Sequence, residues 1–312
     1  MKSIIKCLVA ALLLVTGVTA SAAQDIHIYT TDNSKGNITG ATIQKTFAEA
    51  GFTISGNNDM NKAFESKFQK TNHKMYHLFT LYKKDLVLEL VKVSPKAALF
   101  TPLSMSIYMG KDSNNISISS LSIDGMAKIT GISADNKYMK EYSKLVIDTL
   151  AKALPNGHFE KIANMPLKAE GELVTTFTTE MEVQGDAVQD KLEGLQTELE
   201  GSLETVGFVI AGYNKLGDEF KQAGYDKYDF FDAYSICKLP VIFEVAKNHP
   251  EAGAYAPCTL YMYKEKGSSV VNMAYPSVYN WISSLAIKDK QSIKVLKDAQ
   301  ELMVKVIKEV TE

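Results

Sequence analysis

At 312 residues, 46% of them hydrophobic and 22% charged, the chain has the make-up of globular protein in about two domains, which excludes a disordered polyelectrolyte and a membrane bundle. The formal charge is only −2, and every one of the 34 basic residues is a lysine. Without the rigid guanidinium fork of arginine there is no bidentate grip on guanine or phosphate, so nucleic acid is excluded as a sequence-read partner.

Lys2 and Lys6 precede an apolar run from Cys7 to Val18 and then the small residues Ala20, Ser21, Ala22 and Ala23. This is the pattern of a secretory signal peptide over residues 1–23, cut after Ala22 or Ala23. The expected product is an exported soluble protein, periplasmic if the source is Gram-negative. No later stretch approaches the ~20 apolar residues of a membrane span.

Strand and helix patterns then alternate. Asp25 to Thr31 alternates as a strand, and Gly40 to Ala50 has helical spacing and stops at Gly51. Gly51 to Gly56 is a strand, Asp59 to Gln69 a helix capped by Asp59, and Lys74 to Tyr82 a strand. Asp85 is expected to cap a short helix, Leu86 to Val93, that ends before Pro95. Ala98 to Met109 and Ile116 to Ile123 form a hairpin across GKDSNN. Asn136 to Leu154 closes the first half as a long helix. The order restarts with a strand at Leu173 to Val183 and an amphipathic helix at Asp186 to Val206, whose glutamate-rich face is solvated. It ends in a helix at Gln291 to Val310, with Leu296, Ala299 and Met303 turned inward.

The restart is a repeat. Tyr76 to Tyr108 aligns without gaps on Phe231 to Tyr263, pairing Lys83 with Lys238, Glu89 with Glu244, Pro95 with Pro250 and Pro102 with Pro257. With one residue of slippage, GFTISGNN at Gly51 answers GFVIAGYN at Gly207. The expected organisation is a first repeat domain at 24–157, a linker at 158–171 and a second repeat domain at 172–312. The fold class is α+β: two tandem copies of a helix-on-antiparallel-sheet domain, each covering the open sheet face of the other about a pseudo-twofold axis.

The stretches GFVIAGYNKLGDEF and YSICKLPVIFEVAKNHPEAGAYAPCTLYMYKEKGSSVVNMAYP resemble the bacterial family catalogued as domain of unknown function 302. The second copy carries the fuller pattern. The first has Tyr82 and Leu103 where the pattern has cysteines. The resemblance implies the helix-on-curved-sheet fold of the TATA-binding-protein type and brings no settled activity or cofactor with it.

Chemistry concentrates at Cys237 and Cys258, the cysteines left after leader removal. Cys237 ends a strand just ahead of a helix with Pro240 in its first turn, a setting expected to lower a thiol pKa. Three readings stay open for the pair. A disulfide would close a ~20-residue loop and contribute about 3 kcal/mol. A soft-metal or haem-edge site would add His249 or a nearby methionine such as Met262. A redox pair would work without a CxxC motif. Tyr234, Tyr255, Tyr261, Tyr275 and Trp281 gather in the same half and could line a pocket for a small apolar ligand, with the AYPSVYNW segment as its rim. The first hypothesis is therefore a non-enzymatic binding protein for a small apolar ligand or a soft metal ion, with a thiol redox protein or a purely structural, stapled protein as alternatives. A homo-oligomer is an open expectation.

Overall fold

The computed structural model describes residues 24–312, so the leader read at 1–23 lies outside the described residues. β1 (Ile26–Asp32) leads to α1 (Gly40–Glu49), which opens with a reciprocal cap: the Thr39 and Thr42 hydroxyls each accept from the other residue's backbone N–H. β2 (Thr53–Asp59) ends at Asp59, whose carboxylate accepts from the Asn61 N–H and caps α2 (Met60–Phe68). β3 (His73–Tyr82), α3 (Lys84–Val93), a 3₁₀ turn (Pro95–Phe100), β4 (Leu103–Gly110) and β5 (Asn115–Leu121) follow. α4 (Ile123–Thr130), α5 (Lys137–Ala153) and β6 (His158–Phe159) complete the first unit.

The second unit repeats this order: β7 (Val174–Glu180), α6 (Ala187–Thr205), β8 (Val209–Lys215), α7 (Leu216–Gln222), β9 (Tyr228–Cys237) and α8 (Leu239–Val245). A second 3₁₀ turn (Pro250–Tyr255), β10 (Cys258–Glu265), β11 (Val270–Pro276), α9 (Val278–Ser284) and α10 (Lys290–Thr311) end it. β3 begins at His73 and β9 at Tyr228, 155 residues on, the spacing that also separates the two 3₁₀ turns. The irregularity between Ile54 and Gly56 recurs between Ile210 and Gly212. The molecule is thus α+β, with two antiparallel sheets ordered β2-β3-β4-β5-β1-β6 and β7-β11-β10-β9-β8.

Three local readings change. Asp85 does not cap α3. Lys83 holds the cap position and Asp85, in the first turn, pairs with its ammonium at 3.1 Å. α4 and α9 interrupt what alternation alone extends as strand or rim, because Ser122 and Ser277 stop the strands in extended backbone and begin a helical turn; the Ser122 hydroxyl accepts from the Gly125 N–H. His158 and Phe159, read as the start of the connecting segment, pair with Thr30 and Tyr29 at the edge of the first sheet.

Helices cover one face of each sheet, with α5 against α1 and α3, and α10 against α6 and α8. The opposite faces are buried by the other unit. The turn Pro250–Tyr255 lies on β4 and β5, and the turn Pro95–Phe100 lies on β10 and β11. The polar links are reciprocal: the Ser104 hydroxyl donates to the Pro257 carbonyl at 3.0 Å and the Thr259 hydroxyl to the Pro102 carbonyl at 3.4 Å. Exchange of equivalent groups in both directions is the mark of a self-complementary, twofold-like contact. Further donors from the first sheet, Ser106 to the Pro250 carbonyl and Ser119 to the Glu251 carbonyl, both at 2.8 Å, satisfy buried groups that would otherwise cost stability. The edge strands β2 and β8 meet through Ser55 and Asn214 at 3.1 Å, and Phe68 stacks on Phe243 with centroids 4.2 Å apart.

Gly253 shows how close this approach is: a Cβ there would lie 2.4 Å from the Cβ of Ser106 and 3.0 Å from its Cα. Gly253→Val is expected to lower stability by about 3 kcal/mol, the upper range for overpacking, measured by chemical denaturation. An unchanged midpoint and slope would show that the two faces are not in contact.

Candidate functional site

A cavity of about 40 Å³ lies between the second sheet and the helices over it. β9 and β10 supply Ile236, Cys237 and Cys258, β11 supplies Tyr275, and α9 supplies Trp281; Leu296, Ala299, Gln300 and Met303 of α10 close it from above. Its origin is a loss of side-chain volume. The positions of Cys237 and Cys258 are held in the first unit by Tyr82 and Leu103, both buried. Cys258, a smaller side chain on the same framework, leaves space here that the surrounding close-packed core does not collapse into, with Cys237 at the margin of that space.

The two thiols do not form a pair. Both cysteines are free, which corrects the disulfide expectation for Cys237 and Cys258. The reason is register. Cys258 stands across from Ile236, so Cys237 is one residue beyond it, and successive side chains of a strand turn to opposite faces. Cys258 belongs to the helix-covered face. Cys237, the last residue of β9, reaches both the cavity margin and the boundary between the units.

Burial also decides their chemistry. Desolvation pushes the Cys237 thiol up to about 12, with the nearby Cys258 adding to it. Desolvation likewise takes Cys258 to about 12, against a small opposing effect of Trp281. The expected lowering of Cys237 by the helix end is outweighed, since removing a thiolate from water costs more than a helix terminus returns. Part of each cysteine's surface remains open, toward the cavity and the clefts beside it. The Cys258 S–H donates to the Tyr255 carbonyl at 3.6 Å, as a protonated thiol does.

The metal reading with Cys237, Cys258 and His249 is corrected as well. Among the described residues no group of three or more His, Cys, Asp and Glu side chains could hold an ion. His249 sits at the head of the turn Pro250–Tyr255, its Nδ1 3.3 Å from Glu251 and its Nε2 3.6 Å from Asp289. Those carboxylates, Glu251 foremost, raise its pKa and hold it in a structural role.

The aromatic candidates separate. Tyr275 and Trp281 line the cavity, and the Tyr275 hydroxyl accepts from the Gln300 amide at 3.0 Å. Tyr255 lies beside Trp281, centroids 6.2 Å apart, outside the lining. The Tyr234 hydroxyl donates to Glu200 of α6 at 2.9 Å. Tyr261 packs on the other face of the sheet with Phe231 and Tyr263. The indole N–H of Trp281, 4% exposed, has no hydrogen-bond acceptor; it lies near enough to the Cys258 sulfur to favour the thiolate weakly, too loosely to be satisfied by it.

Leu296, Ala299 and Met303 lie on the inward stripe that the spacing predicts, and Gln300, in no motif, lies beside them. A glutamine on the apolar stripe of the last helix was the available signal: Gln300 fixes Tyr275, accepts from the Val278 N–H at 3.2 Å and donates to Thr175 at 2.9 Å. Asp232 was also missed. It is buried beside Tyr213 and Gln196, which donate to it at 2.8 Å and 2.9 Å, and desolvation pushes its carboxyl up to about 6.

Residues 187–310, from α6 through the cavity to α10, match the family model described as Domain of unknown function DUF302. Over those residues the second unit is similar to the DUF302 family. Among solved structures, a crystal structure of an uncharacterised conserved DUF302 protein from Bacillus stearothermophilus aligns at 14% identity over 44% of this chain and 98% of that one, with a TM-score of 0.36. No curated protein matches. The cavity, both cysteines and Trp281 all fall inside the DUF302 match.

Two outcomes follow from the charge states. Native chain at pH 8 is expected to leave Cys237 and Cys258 unmodified by a disulfide reagent and to expose both on unfolding, as counted by mass; rapid native labelling would contradict the raised pKa values. Asp232 stays neutral in the folded state between pH ~4 and ~6 while the unfolded chain ionises, so stability falls as pH rises across that window. Asp232→Asn removes the loss and is expected to gain, relative to wild type, up to about 3 kcal/mol more at pH 7 than at pH 4 by denaturation.

Proposed function

We propose that the DUF302 unit is a non-enzymatic binding module of an exported protein, and that it takes a small apolar ligand, or the apolar tip of a larger one, into the cavity between Cys258, Tyr275, Trp281 and α10. The observation that carries this reading is the unpartnered Trp281 N–H on a residue of a mainly apolar lining, where the polar side chains Tyr275 and Gln300 are already bonded to each other. A buried donor without an acceptor costs about 1–3 kcal/mol, and a ligand acceptor would remove that cost. The space of about 40 Å³ limits the inserted part to a few heavy atoms. Thiols held near 12 favour contact over nucleophilic or exchange chemistry, because almost no thiolate is present at neutral pH. The charged start, apolar run and small-residue end of residues 1–23 support a site of action across the inner membrane. No helix among the described residues is long and apolar enough to cross a membrane.

Trp281 is the only tryptophan, so its emission reports on the cavity directly. Titration with a graded series of short-chain thioethers and alcohols is expected to shift the emission saturably for the smallest members, and Ala299→Phe, which fills the space, to abolish the shift. No saturable response in the wild type, or an equal response in the filled variant, would remove the proposal.

A further inference from the structure

A second and larger recess, about 650 Å³, runs along the boundary between the units, within the range of small-molecule sites. β2 and α2 contribute Asn57, Asp59, Lys62 and Ala63; β8, β9 and α8 contribute Val209, Ile210, Cys237 and Leu239. It shares only Cys237 with the cavity beneath α10.

The twofold-like arrangement supplies a reference for what this recess can hold, because an equivalent place exists on the other side of the axis and is filled. There Tyr82 stands at the position of Cys237, Glu219 at that of Ala63 and Lys84 at that of Leu239. The Tyr82 ring, 2% exposed, reaches across the boundary and its hydroxyl donates to Glu219 at 2.8 Å, while the Lys84 ammonium pairs with the same carboxylate at 2.7 Å. The chain fills that side with a ring, a carboxylate and an ammonium. On the recess side all three positions are short or apolar.

Lys62, one residue before Ala63, is an ammonium at the rim with no firm partner: its side chain is 85% exposed and its ion pair with Asp59 is 3.7 Å long. Val209, on the opposite wall, is 53% exposed, unusual for a branched apolar residue beside a concave surface.

We propose that this recess binds an aromatic carboxylate, with the ring against Cys237, Ala63 and Leu239 and the carboxylate at Lys62. The ligand restores, from outside, the ring and acid that the other side of the axis carries in its own side chains.

The test is calorimetric titration of the leader-free chain with 4-hydroxyphenylacetate. Saturable binding is expected in the wild type, weakened about fivefold by Lys62→Gln as befits a solvent-screened ion pair, and lost in Ala63→Glu, which returns the carboxylate to the wall. Lys62 is exposed, so its variant remains informative even if the position 63 variant folds poorly. Ala299→Phe, which fills only the cavity under α10, is expected to bind as wild type does. No saturable binding up to the solubility of the probe, or wild-type affinity in both Lys62→Gln and Ala63→Glu, would overturn the proposal. Loss in Ala299→Phe alone would overturn it too, placing the probe in the other cavity and leaving that reading intact.

Discussion

Each unit builds a sheet with helices on one face only, and a sheet with a bare apolar face is not stable in water. Mutual coverage of those two faces is the constraint on which the rest of the molecule depends. The 3₁₀ turns Pro95–Phe100 and Pro250–Tyr255 are the pieces that make it work, each lying on the sheet of the other unit. Their carbonyls are met by hydroxyls of the opposing strands, so polar backbone can be buried at the centre of the contact without loss. Gly253 is needed there because the backbone passes too close to Ser106 for a side chain.

Once the framework is shared, differences between the units acquire meaning. The first fills its boundary and its core with Tyr82 and Leu103; the second carries cysteines at those positions and has open space on both sides of the strand end. The sulfur atoms matter here for their small size and softness more than for any bond between them. Strand register turns the two side chains to opposite faces, and desolvation keeps both protonated. What a sequence comparison presents as a pair gained or lost together is, in three dimensions, two separate enlargements of adjoining spaces.

The framework was legible in the sequence because periodicity, caps and the repeat all report on local geometry and on burial. β3 and β9, the α2 cap at Asp59 and the inward stripe of α10 stand where spacing places them. The short helices α4 and α9 were not, since eight and seven residues are too few to show a period and the preceding strand residues are equally apolar. The site was half legible. Residue type located Cys237, Cys258, Tyr275 and Trp281, but the face each occupies depends on a one-residue register that composition does not encode. His249 shows the same limit: closeness along the chain to a cysteine strand says nothing of Glu251 and Asp289, which hold its ring. Gln300 and Asp232 carried no motif, and their roles come from partners on other elements.

Small-for-large replacement leaves usable apolar space in the second unit, at the place that the buried side chains of Tyr82 and Leu103 occupy in the first. Diffraction from crystals equilibrated with pressurised xenon reads this directly, because xenon enters dry apolar cavities without needing a polar partner. A xenon site is expected among Cys258, Trp281 and Met303, with nothing beside Tyr82 and Leu103. Xenon in neither unit, or equally in both, would contradict it.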